Sequence, residues 1–121
     1  MGAFPAGLAL ALTAIAALAA APAQAATGGC RGQLVHTVSL PSGELRVYRT
    51  RTEACAVTVA LRPGPRRPLS VTIQPRGGVP VTDAGDFTRY AGPVTVHTVT
   101  RCVHVRGASR AESVESGWIL C

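Results

Sequence analysis

Beyond an apolar N-terminal run, the chain reads as short segments in which apolar and polar side chains alternate with period two, and no amphipathic helix interrupts them. "QLVHTVSL", residues 33–40, is followed by Pro41-Ser42-Gly43 and then by "ELRVYRTRT", residues 44–52. Pro41 presets a turn and Gly43 supplies a permissive backbone, which predicts a hairpin with a loop of about three to five residues. In the returning strand Leu45 and Val47 share a face opposite Arg46 and Tyr48. "CAVTVALR", residues 55–62, sets Cys55, Val57, Val59 and Leu61 against Ala56, Thr58, Ala60 and Arg62, the pattern of a half-buried strand.

The segment Pro63–Pro68, "PGPRRP", is predicted to be an exposed loop, because prolines cannot donate ladder hydrogen bonds. "LSVTIQP" then places Leu69, Val71 and Ile73 on one face. "RGG" turns the chain, and "VPVT" begins the next edge segment. Further on, Val94 and Val96 are even-numbered while Val99, Val103 and Val105 are odd-numbered. One strand cannot bury both sets, so a break is expected between His97 and Thr100. The tail is polar until Trp118, Ile119 and Leu120, which are expected to pack back on the sheet. The sum is six or seven antiparallel strands: an all-β, single-domain sandwich or flattened barrel.

The N-terminal run, "MGAFPAGLALALTAIAALAAAPAQA", carries no charged side chain and ends on Ala23-Gln24-Ala25. This is the form of a secretory signal with a small-residue cleavage site, so residues 1–25 read as a signal peptide and residues 26–121 as one mature domain. The competing reading is an uncleaved anchor, since the apolar stretch 4–21 is about as long as the ~17 to 25 residues that span a bilayer. Pro5, Pro22 and the Ala-x-Ala favour cleavage. Lipidation at Cys30 is the other alternative; it would leave an odd number of cysteines for pairing.

Export gives the cysteines their meaning. Cys30, Cys55, Cys102 and Cys121 are even in number, and a domain this small commonly needs covalent staples. Four cysteines permit three connectivities. Bracketing of local hairpins favours Cys30 with Cys55 and Cys102 with Cys121, each closure contributing about 3 kcal/mol on the chain-entropy model. No Cys-x-x-Cys pair offers a zinc site.

The formal net charge is +6, and all twelve basic residues are arginine. Such a balance attracts polyanions through long-range fields. Only Arg66 and Arg67 are adjacent. With Arg62 they flank the proline-rich loop, which is expected to hold all three outward as a polyanion contact. Asp83 and Asp86 suggest an acid–base pair, but three residues apart in a glycine-containing stretch they read better as turn and capping residues. There is no G-x-S-x-G elbow. His36, His97 and His104 have no metal-ligand spacing, and no cofactor is expected. Tyr48, Phe87, Tyr90 and Trp118 do not form a base-stacking platform, which argues against nucleic acid.

"TDAGDFTRYAGPVTV", "CVHVRGAS" and the terminal Cys121 together resemble the spore-associated protein A family of small secreted actinomycete proteins. Tyr90-Ala91-Gly92-Pro93-Val94 is the most specific block, and "GELRVYR", residues 43–49, is similar to an earlier strand of that family. Val105 and Arg106 stand where the family carries tryptophan and glycine. The resemblance implies secretion, association with the cell or spore envelope and no catalytic residues. The expectation is a non-enzymatic secreted β domain whose partners are anionic wall or spore-surface polymers. The alternative is a small proteinaceous inhibitor of amylases or proteases, to which "CAVTV" has a similar strand.

Overall fold

The computed structural model describes residues 29–121, so the signal peptide expected over residues 1–25 lies outside the described residues. Eight strands follow in order: β1 (Gln33–Leu40), β2 (Gly43–Arg49), β3 (Glu53–Ala60), β4 (Arg67–Pro75), β5 (Val81–Phe87), β6 (Tyr90–His97), β7 (Val103–Ser109) and β8 (Glu112–Ile119). They form two antiparallel four-stranded sheets, β1-β2-β3-β6 and β5-β4-β7-β8. Leu45, Val47 and Ala56 from one sheet and Leu69, Val71, Ile73, Val103 and Val105 from the other share one core, as in a sandwich.

The β1–β2 hairpin is tighter than expected. Leu40 pairs with Gly43, which leaves Pro41 and Ser42 alone in the turn. Gly43 is needed for space rather than for a turn conformation: a Cβ there would lie 2.5 Å from the Val59 carbonyl oxygen. Strand β3 also departs from its sequence reading. Its core-facing residues are Ala54, Ala56, Thr58 and Ala60, whereas Cys55 and Val57 occupy the outer face. Both faces are buried, because Cys30, disulfide-bonded to Cys55, packs with Tyr48 and Val57 in a second, smaller cluster. The alanines permit close approach of the second sheet. Thr58 is fully buried between the sheets, where its hydroxyl donates to the Ser70 carbonyl at 2.8 Å.

Three register shifts interrupt the ladders: Val35 is extra in β1, where Leu34 pairs with Tyr48 and His36 with Val47, and the other two lie in β6 and β8. Ala56 pairs with Val94 and Thr58 with Ala91, so Gly92 and Pro93 together oppose Val57. The extra residue changes the phase of β6, and Ala91 and Val94 both point inward despite opposite parity. In β8, Ser116 and Gly117 oppose Val105, with Gly117 at φ 73°. The C-terminal tail is therefore a strand, which its polar sequence concealed. Ile119 and Leu120 pack on the core as expected; Trp118 instead lies exposed. The break expected after His97 is present, with β6 ending there and β7 starting at Val103.

Both disulfides, Cys30–Cys55 and Cys102–Cys121, join the favoured partners. Following the alternating strand directions, both sit at the end of the sandwich where β3 and β7 begin. The opposite end holds the turn at residues 41–42, the β3–β4 loop and the turns at 88–89 and 110–111. Backbone hydrogen bonds tie these turns together: Leu61 donates to Ser42, Ala60 to Arg89 and Arg110 to Pro68.

Candidate functional site

The turn-bearing end gathers Arg62, Arg66, Arg67, Arg89 and Arg110, because each turn there contains or adjoins an arginine. Their roles diverge according to strand parity. Arg67 is the first residue of β4 and shares the inward parity of Leu69, Val71 and Ile73. It is only 8% exposed, which corrects the expectation that the proline-rich loop holds it outward. The loop ends two residues earlier than its prolines suggest; Arg67 already pairs with Phe87 and Pro68 with Asp86 within β4.

Arg67 thus closes the end of the inter-sheet core. Its Nη2 donates to the Arg62 carbonyl at 2.8 Å, while its Nε is buried without a partner. No carboxylate pairs with Arg67, Arg62 or Arg110 among the described residues. Arg46 makes the contrast. Burial acts to lower the pKa of its guanidinium, but the Glu44 carboxylate, bonded at 2.8 Å, outweighs that and raises it. A buried guanidinium lacking such a neighbour keeps its desolvation penalty.

Arg67 forms one side of an open cleft of about 410 Å³, lined also by Pro41, Ser42, Leu61, Arg62 and Arg110. Ser42 Oγ lies 3.0 Å from the Oγ of buried Ser109, which stabilises the junction of the two hairpins. Arg110 has φ 59°, a left-handed conformation that hairpins ordinarily give to Gly, Asn or Asp and that costs other residues about 1–2 kcal/mol. Sequence reasoning missed Arg110, because recognising its position requires reading β8 as a strand.

Of the three expected contacts, Arg62 and Arg67 meet at this cleft and Arg66 does not. Arg66 is exposed and donates to the Asp86 carbonyl at 2.9 Å, facing a separate hollow beside Phe87, Arg89 and Tyr90.

The two aspartates lie on opposite faces of β5, as their odd and even numbers require. Asp83 Oδ2 accepts a hydrogen bond from the Gly92 N–H. The stretch that looks like a catalytic loop is edge strand β5, a short turn and the start of β6, and it carries the chain from one sheet to the other. His104 contacts Glu115 at 3.1 Å and packs edge-on against Trp118, whose face is covered by Arg76 at 4.8 Å. No group of three metal-ligating side chains occurs among the described residues.

Fold and site together define a small, disulfide-stapled β-sandwich with arginines presented from the turns at one end. Comparison with protein-family models, with curated proteins and with solved structures found no match to this chain.

Proposed function

We propose that the chain is a secreted, non-enzymatic β domain that adheres to anionic polymers of the cell or spore envelope. The observation that carries this reading is the convergence of Arg62, Arg67 and Arg110 on one cleft with no carboxylate paired to them among the described residues. The net charge of +6 supports it, as does the resemblance of residues 90–94 to the spore-associated family. Two disulfides are compatible with an oxidising, extracellular location, and the N-terminal run has the form of an export signal. Arg62 and Arg66 are the exposed members of the proline-rich loop and are assigned the first encounter with the polymer. Arg67 acts from within.

Encounter of this kind is screened by salt, since the Debye length falls to about 4 Å near 0.5 M. The test is sedimentation of the folded, oxidised protein with isolated walls and spores. Retention at low salt that is released near 0.5 M, and is weakened by R62S/R66S, is the expected result. A protein that stays wholly in the supernatant at every salt concentration overturns the reading.

A further inference from the structure

We propose that the cleft between Arg62, Arg67 and Arg110 is a specific site for one phosphate group, borne by an envelope polymer or free in solution. The inference rests on the reading of this end as the polymer-binding surface and adds to it a seat for a single anion. Three independent features point there. Arg67 is more than nine-tenths buried, with Nε unpartnered, so a bound anion would supply the countercharge that the fold omits. Arg110 occupies a left-handed turn position that glycine would fill without strain, yet an arginine stands there and lines the cleft. Ser42 lines the cleft and shares a hydrogen bond with the hydroxyl of buried Ser109; with Ser109 as the donor, the Ser42 hydroxyl keeps its hydrogen for a ligand.

Guanidinium forks and a hydroxyl are the donors that phosphate oxygens accept from most readily. The apolar remainder, Pro41 and Leu61, suits the carbon skeleton of an ester. The cleft falls in the lower part of the size range of small-molecule sites, about 300–1,000 Å³. A phosphate ester is therefore expected to bind more tightly than inorganic phosphate.

Arg67 also closes the end of the core, so replacing it changes packing as well as the cleft; Arg110→Gly is the cleaner variant because glycine favours the turn. Two-dimensional amide NMR would follow titration with inorganic phosphate and with glycerol phosphate, against sodium chloride at matched ionic strength. The expected result is a saturable response at Ser42, Leu61, Arg62 and Arg110. In R110G affinity should fall roughly tenfold or more, the change that loss of one hydrogen bond to a charged group produces, with thermal stability unchanged or raised. A phosphate response no larger than that of chloride, or an R110G affinity within about twofold of the parent, overturns the site.

A parallel arm separates this site from the envelope reading and free from polymer-borne phosphate. Elution from walls by phosphate at an ionic strength where chloride does not elute supports the polymer-borne group. Salt-sensitive adhesion without any saturable phosphate response removes the site and leaves the envelope reading. Saturable binding in the cleft without adhesion removes the envelope reading and assigns the cleft to the free anion.

Discussion

The Asp83 carboxylate accepts a 2.8 Å hydrogen bond from the backbone N–H of Gly92, joining an edge strand of one sheet to the bulge of the other. Gly92 has φ 106°, and a Cβ there would stand 2.9 Å from the Ala56 carbonyl oxygen. The carboxylate thus satisfies an amide that the bulge removes from the β3–β6 ladder.

Asp83→Ala is expected to destabilise the protein by about 1–3 kcal/mol, because it leaves that amide without its charged acceptor. Asp86→Ala, on the exposed opposite face, should stay within about 0.5 kcal/mol of the parent. Urea unfolding of both variants checks the contrast. Equal losses would mean that the stretch is not held by this bond.

A second expectation concerns packing between the sheets. A Cβ at Gly107 would lie 2.6 Å from Thr58 Oγ1 and 3.1 Å from Leu45 Cδ1. Gly107→Ala should therefore cost about 1–3 kcal/mol through overpacking. Adding Thr58→Ala removes the nearest obstacle, so the double variant should lose less than the sum of the singles. Strict additivity in denaturant melts would show that the two residues do not compete for one space.

Reduction should proceed in a fixed order. Cys30 and Cys55 are buried beneath Tyr48 and Val57, whereas Cys121 is exposed at the chain end. Graded treatment with a phosphine reductant followed by alkylation and mass spectrometry should label Cys102 and Cys121 before Cys30 and Cys55. The reverse order would contradict the covered outer face of β3. Loss of the buried bridge by C30S/C55S should cost about 3 kcal/mol.

Arg67→Met is expected to leave stability unchanged or to raise it by about 1 kcal/mol, because an apolar chain of similar length replaces a buried cation that no carboxylate balances. For a domain of this size that is a rise in Tm of roughly 4–8 °C. Adhesion to walls should weaken in the same variant. A large fall in Tm would show that the bond to the Arg62 carbonyl outweighs the buried charge.

Much of the fold was legible because period-two runs survive in β2 and β4, where Leu45, Val47, Leu69, Val71 and Ile73 all face inward. The disulfide partners followed from local hairpins. What escaped was every place where an extra residue breaks parity. Ala91 and Val94 look incompatible until Gly92-Pro93 is seen as a bulge, and Ser116-Gly117 hides β8 in the same way. In β3, hydrophobicity pointed to the wrong face, because the valines are covered by a disulfide partner distant in sequence and the alanines by another sheet. Arg67 was misread for a related reason. Three nearby prolines suggested a loop, yet its number shares the parity of Leu69, and parity decides which way a strand residue points. The cleft required both errors to be undone, since Arg110 enters it only through the β7–β8 turn.

The placement of both staples at one end divides the molecule into a clamped pole and a free one. At the free pole the turns are held by single backbone bonds, the Ser42–Ser109 contact and the bonds that Arg66 and Arg67 donate to backbone carbonyls. Changes of length or residue type at 41–42, 88–89 or 110–111 leave the cross-links untouched, so this end of the scaffold can vary while the opposite end stays clamped.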